Sequence, residues 1–465
     1  MAKDQTTRIC CIGAGYVGTC TSAVLAYKNP SVRITVVDTS EAKIGAWRSR
    51  SFPISEPCLQ EILKQVVERL AFSTDIEAAI NAADLIFICV DTPTVTKGTG
   101  EGFALDTSAV VACVAKIVEV STSDKIIVPC GTADQLRKLI TQKNTKGLNF
   151  EVLSNPEFLA EGTAIHDLLH PDRVIIGAEN TPKGSNAAAR LVSLYQAWIP
   201  SDRIKTTNTW SSELGKLAAN AMLAQRISSI NSLTAICESV GADIQDISQI
   251  VGLDHRIGPH MLQASIGFGG SCFEKDIRCL VYLAESLGFR HIARYWMADL
   301  EMNDFQKASQ TERITSLLGP LASSKLTIAV LGFSFKAGTT DVRSTPVLTI
   351  VRDLVGRGHK VKIFDPKAKK EDIQETLCKA NLGRERAIVS LNAMQACDGA
   401  HVIAIATAWD EFRTRPGLRR MDWKSIADGM QQPRLMFDGC NVVDAKYLEG
   451  LGMKVLELGR KQAML

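Results

Sequence analysis

The stretch from Arg8 to Asp38 constrains this chain more than any other. RICCIG (8–13) is a short apolar run rich in β-formers, and GAGYVG follows with Gly13, Gly15 and Gly18. Residues 19–28 read as a helix, and RITVVD (33–38) is a second strand ending in an acid. Strand, glycine turn, helix, strand and acid, in that order, mark a dinucleotide-binding βαβ unit. Gly13 makes the tight turn, Gly15 lets the backbone approach a pyrophosphate, and Gly18 lets helix and strand pack closely. The helix N-terminus then faces the anion. Asp38, 20 residues after Gly18, is placed to accept from a ribose 2′-hydroxyl and to repel a 2′-phosphate, which favours NAD over NADP. Lys43 nearby tempers that preference without reversing it.

The same rhythm continues. Residues 84–90, 125–129, 151–154 and 173–177 fit strands with helical patterns between them, which argues for a parallel sheet covered on both faces. From Trp210 to about Val240 the pattern turns helical without a proline, and Ser211 or Ser212 could cap the start. About thirty helical residues would extend some 45 Å, a length that suits a spine between domains or a dimer interface. More helix is expected around 274–288 and 296–318. Near Lys325 the alternation restarts, with strands at 326–332, 360–365, 400–406 and 434–438 and a helix at 346–357. At about 150 residues per domain the chain allows roughly three domains. The expected fold is α/β, with two Rossmann-like doubly wound domains joined by a long central helix and a helical middle domain.

Composition narrows the function classes. With 53 basic and 50 acidic residues, a formal charge of +3 gives no reason to expect nucleic acid or a membrane as the main partner. No apolar run reaches the roughly 18 residues that span a bilayer. MAKDQTTR at the start is polar and not a signal peptide, and Ala463-Met464-Leu465 only loosely resembles a peroxisomal address. The 13 cysteines are odd in number, and many sit in apolar runs. That pattern fits a reducing, cytoplasmic compartment where cysteine is a small buried hydrophobe. His255 and His260 have no cysteine partners at zinc spacing, so no metal site is expected.

Four segments carry candidate chemistry. In SNPEFLAEG (154–162), Glu157 and Glu161 would share one helical face, for acid–base or hydroxyl-binding work or as a solvated face. In GKLAANAMLA, Lys216 and Asn220 are one turn apart; an ammonium and an amide there can hold an oxyanion, or can be a surface lysine and a helix–helix bond. In GFGGSCFEKD, Ser271 is a plausible N-cap. That would put Cys272 in a first helical turn, where the positive helix end lowers a thiol pKa, with Asp276 one turn on. The bland alternative is a small residue in a tight turn. In the last unit, Gly332, Phe333, Phe335, Lys336 and Gly338 follow a strand and precede Arg343, which suits an anionic ligand carrying a ring, or solvated basic residues.

NAD implies hydride transfer, and a reactive cysteine beside it implies covalent catalysis on an aldehyde through a thiohemiacetal and a thioester. Two nucleotide-binding halves suggest a nucleotide conjugate as substrate. GAGYVG, ITVVD, NPEFLAEGTAI, ELGKLAANA, GFGGSCFEKD and LGFSFK together resemble the UDP-glucose/GDP-mannose dehydrogenase family over about residues 8 to 450. The resemblance implies a four-electron oxidation of UDP-glucose to UDP-glucuronate with two NAD. It also implies domains at 1–207 (NAD-binding), 208–322 (central, helical, dimerising) and 323–465 (UDP-sugar-binding). By position, Cys272 would be the nucleophile, Lys216 and Asn220 would hold the oxyanion, Asp276 would act with a water as base, and Glu157 would assist hydrolysis. Glu157, Phe158, Leu159, Lys216, Asn220, Phe268, Gly269, Phe335 and Lys336 would bind the substrate. Arg256 would reach the substrate of a neighbouring subunit, so a homo-oligomer, dimer or hexamer, is expected. Beyond the fingerprint glycines, Tyr16, Val17, Asp38, Lys43, Thr92, Glu161, Lys275 and Arg343 would contact the cofactor.

Several positions depart from the family pattern. Ile126-Ile127 stands where Ser-Thr is usual, Asp91 where Val-Asn-Thr-Pro is common, Gln263 where lysine is frequent, and Cys440 after Phe437-Asp438-Gly439 where a basic residue is usual. The first bears on hydrolysis and NAD affinity, and the last removes one substrate contact. Rival functions are a dehydrogenase of another nucleotide sugar (a UDP-N-acetylhexosamine or GDP-mannose), a two-electron hydroxyacid dehydrogenase, which would not need Cys272, and an NAD-binding regulatory protein.

Overall fold

The structure is a computed structural model that describes residues 7–461 except 55, 130–132, 415, 416, 418 and 419. The tripeptide 463–465 and the start of the chain lie outside the described residues. Two compact units divide it, Met1–Ala218 and Ala219–Leu465.

In the first unit, six parallel strands lie in the order β3-β2-β1-β4-β5-β6. They are β1 (Thr7–Ile12), β2 (Val32–Val37), β3 (Leu70–Ser73), β4 (Leu85–Ile88), β5 (Lys125–Val128) and β6 (Phe150–Val152). This is the dinucleotide-fold order, with its reversal beside β1. Ile9 pairs with Ile34 on one side and Leu85 on the other, which fixes the central register. Every residue of β4 and β5 is buried, as a parallel strand covered on both faces requires. Side chains alternate between two cores: Cys11, Val36, Phe87 and Ile126 on one face, Cys10, Val37, Ile86 and Ile127 on the other. Lys125 is buried and makes itself tolerable by donating to the carbonyls of Ala83 (2.6 Å) and Asn81 (3.1 Å) and to Ser123 Oγ (3.0 Å). A two-stranded parallel sheet, β7 (Val174–Ala178) and β8 (Ile204–Asn208), completes this unit.

In the second unit the topology repeats. The order is β11-β10-β9-β12-β13-β14, from β9 (Thr327–Leu331), β10 (Lys360–Phe364), β11 (Ala387–Val389), β12 (Val402–Ile405), β13 (Leu435–Asp438) and β14 (Lys454–Glu457). Ahead of that sheet come helices Ile244–Leu253, Phe273–Ser286 and Arg290–Leu318, the last starting earlier than the sequence pattern suggests.

The helix expected from 210 to 240 is two. Thr209–Ser232 runs 24 residues and Thr234–Val240 follows. At the break, the Thr234 hydroxyl bonds the Asn231 carbonyl (2.8 Å) and the Leu233 N–H turns to Ile230. That local competition interrupts the ladder. Asn208, not Ser211 or Ser212, supplies the start signal: its Oδ1 accepts from the Ser211 N–H at 2.8 Å.

Among the described residues, no helix is long and apolar enough to cross a membrane, no group of three or more His, Cys, Asp or Glu is placed to hold a metal, and the cysteines are free thiols.

Candidate active site

The fingerprint turn is shaped by backbone contact. Gly13 has φ +112°, and a Cβ there would strike the Cys89 carbonyl; a Cβ on Gly18 would strike the Gly13 carbonyl. Gly15 differs, since a Cβ there would meet open space. The turn therefore leaves room for a ligand at the one glycine beside the N-terminus of helix Tyr16–Lys28, whose first turn no side chain caps. That is the arrangement a pyrophosphate needs, so the residues present fit NAD. Trp47 donates its indole N–H to the Ala14 carbonyl (3.1 Å) and steadies the turn from outside.

Asp38 sits at the end of β2 and accepts from the N–H groups of Ala14 and Ser40 (3.0 Å each) and from Lys43 Nζ (2.9 Å). Partial burial works against its charge, but Lys43 and the two amides outweigh burial and hold the carboxyl below the usual carboxylate range. Tyr16 and Val17, half-buried, open the helix, and Thr92 lies half-buried on the loop after β4.

Glu157 and Glu161 do not share a helical face. The chain from Asn155 to Ala160 is irregular. Both Ser154 backbone groups pair with Gly177, and Asn155 donates to the Ile175 carbonyl (2.8 Å) while accepting from Tyr195 Oη (2.7 Å). Asn155 also precedes a proline, which disfavours helix. Glu157 instead folds back to accept from the Leu159 N–H (2.7 Å) and faces Lys216 Nζ at 3.4 Å. Phe158 carries cations on its ring, Arg173 at 4.0 Å and Lys216 at 5.2 Å from the centroid. Glu157, Phe158 and Lys216 thus form one half-buried cluster in the first unit.

Sequence reading missed the group beneath this loop. Glu56 is buried and accepts from Tyr16 Oη (2.5 Å), Gly162 N (3.0 Å) and Ala164 N (2.6 Å). One carboxylate therefore joins the fingerprint tyrosine to the turn that follows Glu161. Burial and then Glu56 push the Tyr16 hydroxyl pKa up, so it stays a donor. Nothing around Glu56 in the sequence signals this, because its partners lie 40 to 108 residues away. Arg173, at the edge of β7, was missed for the same reason.

In the second unit, Cys272 is itself the N-cap of helix Phe273–Ser286, so Ser271 lies one residue outside and does not cap. The thiol is exposed, with Ser271 Oγ at 3.7 Å. One turn on, the Asp276 N–H bonds the Cys272 carbonyl (2.9 Å), and the Asp276 carboxylate accepts from Asn220 Nδ2 at 2.6 Å. Both side chains are buried. Cys279, a further turn along, is pushed up to about 11 by burial and then by Asp276, so its thiol stays protonated, whereas Cys272 is exposed. Lys275 is half-buried in the first turn.

The loop before Cys272 is packed against its own unit. A Cβ on Gly269 would strike the Ser344 carbonyl, and one on Gly270 (φ +86°) would come within 2.8 Å of the Phe335 ring. These glycines seat the loop on Phe335 and Ser344, a packing role distinct from leaving space for a sugar. Phe268 meets Phe273 edge-on at 5.8 Å, and Lys336 lies 5.8 Å from the Phe335 centroid. Arg343 pairs with Asp341, and Arg256 with Asp254; both arginines are exposed.

The turn after β9 echoes the fingerprint but is closed. Gly332 has φ +94° and abuts Thr407, as Gly13 abuts Cys89. Asp365, at the position after β10 that Asp38 holds after β2, accepts from Phe333 N, Ser334 N, Lys367 N, Ala368 N and Trp409 Nε1, at 2.7 to 3.2 Å.

The departures have local explanations. Ile126 and Ile127 are both core residues, one on each face of the sheet. Gln263 and Asp91 are exposed. The Cys440 thiol turns toward the Ile405 carbonyl at 3.9 Å, and burial, followed by Asp438, pushes its pKa up.

Three family models match the chain in succession: the NAD binding domain of the UDP-glucose/GDP-mannose dehydrogenase family at residues 7–199, the central domain at 210–305, and the UDP binding domain at 329–445. The chain is 45% identical over 473 residues to UDP-glucose 6-dehydrogenase 4 of Oryza sativa subsp. japonica, covering 97% of each. It is 44% identical over 470 residues to UDP-glucose 6-dehydrogenase of Mus musculus, covering 98% of this chain and 94% of that one. Among solved structures, a UDP-glucose dehydrogenase from the hyperthermophilic archaeon Pyrobaculum islandicum superposes with a TM-score of 0.82 at 26% identity over 99% of both chains.

Proposed function

This chain belongs to the UDP-glucose/GDP-mannose dehydrogenase family, and we propose that it oxidises the C6 hydroxyl of UDP-glucose to the carboxylate of UDP-glucuronate. The observation that carries the reading is the exposed Cys272 thiol one turn from a buried Asn220–Asp276 pair, on a chain similar along its whole length to UDP-glucose 6-dehydrogenases.

Bound NAD supplies the hydride acceptor for both two-electron oxidations. Gly15 and the uncapped helix start would hold its pyrophosphate and Asp38 a ribose hydroxyl. At the aldehyde stage the Cys272 sulfur adds to C6, forming a C–S bond and placing the electron pair on the carbonyl oxygen. The Lys216 ammonium and the Asn220 amide would hold that oxygen. After the second oxidation C6 is a thioester. Asp276, steered by Asn220, would take a proton from water as the water oxygen attacks C6, with Glu157 assisting; the C–S bond breaks and that proton passes to the leaving sulfur, restoring the thiol. Phe158, Leu159, Phe268, Gly269, Phe335 and Lys336 would line the sugar and uridine sites. Glu161, Lys275 and Arg343 would add cofactor contacts.

In this reading the working parts are an NAD domain (1–207), a central helical domain (208–322) and a UDP-sugar domain (323–465), in a cytoplasmic homo-oligomer. The exposed side chain of Arg256, paired with Asp254 two residues away, suits a group that reaches a neighbouring subunit. The free thiols support a reducing compartment.

Purified protein given NAD and UDP-glucose, with other nucleotide sugars in parallel, tests the reading by counting NADH per sugar. Two NADH per UDP-glucose are expected. One NADH, preference for another sugar, or none would each replace the reading with one of its rivals. Cys272→Ser should lose net turnover; full activity would remove the covalent mechanism.

A further inference from the structure

The segment Ser265–Cys272 belongs to no strand or helix, and its backbone is gripped by side-chain amides. The Ser265 N–H donates to Asn231 Oδ1 (2.8 Å), and Gln306 Nε2 donates to the Ser265 carbonyl (2.7 Å). Phe268 is held on both its polar groups by one residue: its N–H donates to Asn303 Oδ1 (2.8 Å), and Asn303 Nδ2 donates to its carbonyl (3.0 Å). Asn231, Asn303 and Gln306 are each at most 3% exposed. Three buried amides facing one loop are costly unless that loop uses them. The fit is tight, since a Cβ on Gly267 would come within 2.9 Å of Asn303 Oδ1.

Past the thiol, Asn220 holds Asp276. Helix Thr209–Ser232 therefore holds the chain on both sides of Cys272, the segment through Asn231 and the helix after it through Asn220, while helix Arg290–Leu318 grips the segment at Ser265 through Gln306 and at Phe268 through Asn303. A carboxamide places a donor and an acceptor side by side, which matches the N–H and C=O of one extended residue. Aspartate lacks the donor and leucine both groups.

We propose that Asn303 is a positioning residue for the nucleophile: its amide fixes the Phe268 peptide and, through the packed glycines that follow, the site of the Cys272 sulfur. This rests on the reading of Cys272 as the attacking group. Misplacement of a reacting atom by about 1 Å can cost on the order of a hundredfold in rate.

The test compares the full-length protein with Asn303→Ala and Asn303→Ser, the second keeping a hydroxyl that can bond the Phe268 N–H through a water in the space the carboxamide leaves. Asn303→Ala should lower kcat at least about tenfold with KM for NAD within about twofold, and Asn303→Ser should recover part of the loss. Amide hydrogen exchange over 265–272, measured without substrate or cofactor, should speed up about tenfold or more in Asn303→Ala. Unchanged exchange in a cooperatively melting variant would overturn the clamp. Faster exchange with unchanged kcat, or kcat and NAD affinity falling together with the folded fraction, would overturn the positioning role. If the parent protein turns over no nucleotide sugar while exchange still accelerates in the variant, the clamp stands and the proposed function falls. Should Asn303→Ala fail to melt cooperatively, Asn303→Ser carries the same expectations at smaller size.

Discussion

Asn220 and Asp276 are 56 residues apart in sequence and joined by a 2.6 Å hydrogen bond between two helices, with both side chains buried. In the folded chain the amide orients the carboxylate one turn from Cys272, and the proposed mechanism would give it a second task at the developing oxyanion. Asn220→Leu should destabilise the protein by about 2–4 kcal/mol, because the buried carboxylate loses a donor. In an Asp276→Leu background the same change should cost at least about 1 kcal/mol less. Denaturant unfolding of the four proteins gives the coupling, and additive costs would show that the bond contributes nothing.

Asp38 should govern the choice of coenzyme across the whole working pH range. Its carboxyl is held below the usual carboxylate range, so its charged-state contribution is present above the unfolded value and fades only as pH falls through the depressed folded one. KM for NAD should therefore show no Asp38-linked rise between about pH 8 and pH 5, a window above the ordinary carboxylate value of about 4. Asp38→Asn should lower kcat/KM for NAD about tenfold or more and affect NADP less, whereas Lys43→Ala should widen the preference for NAD. A variant Asp38→Asn that keeps the parent ratio of NAD to NADP would sink this assignment.

Glu56 should matter more than its partner Tyr16. Tyr16→Phe removes one donor from a carboxylate that retains two backbone N–H groups, an expected loss of about 1 kcal/mol. Glu56→Ala strands three donors at once, two half-buried and the Ala164 N–H buried, and its cost should be about 3 kcal/mol, accompanied by weaker NAD binding because the fingerprint tyrosine comes loose. Thermal melting and NAD titration of both variants check the order; equal losses would contradict it.

The thiols should separate by burial. Cys20 and Cys397 are each pushed up to about 12, burial being the main cause, so both remain protonated at neutral pH. Cys58, Cys272 and Cys378 are exposed. Brief treatment of the native protein with iodoacetamide at pH 7, followed by peptide mass spectrometry, should label the exposed three and spare Cys20, Cys397 and Cys440. UDP-glucose should protect Cys272 alone among the three. Early labelling of Cys397 would mean the second sheet opens far more readily than its packing suggests.

Local features were legible in the sequence. GAGYVG and Asp38 lie within one βαβ unit, so spacing alone places them, and the alternation that follows indicates a parallel sheet but not its strand order: the four-residue β3 carries too little pattern to be seen, and β7 pairs with β8 apart from the main sheet. Helix ends were less legible. Ser271 looked like a cap because serine prefers that position, yet Cys272 occupies it. Glu157 and Glu161 looked like a helical pair, but Ser154 and Asn155 are tied to β7 and its neighbours, and that tertiary pairing overrides a spacing rule. Asn303, Glu56 and Arg173 carried no signal at all, because each acts on a partner brought near only by folding.

The two sheets share a topology and part company at one carboxylate. Asp38 keeps a modest set of partners, one of them a partly exposed lysine side chain, whereas Asp365 accepts from five N–H donors, four from the backbone and one from Trp409. The same strand order thus carries two different acids, one with room for a ligand and one that rivets its own turn. Anyone wishing to graft a second coenzyme site onto this scaffold would have to begin by unemploying Asp365, and the loop it fastens would be the first thing lost.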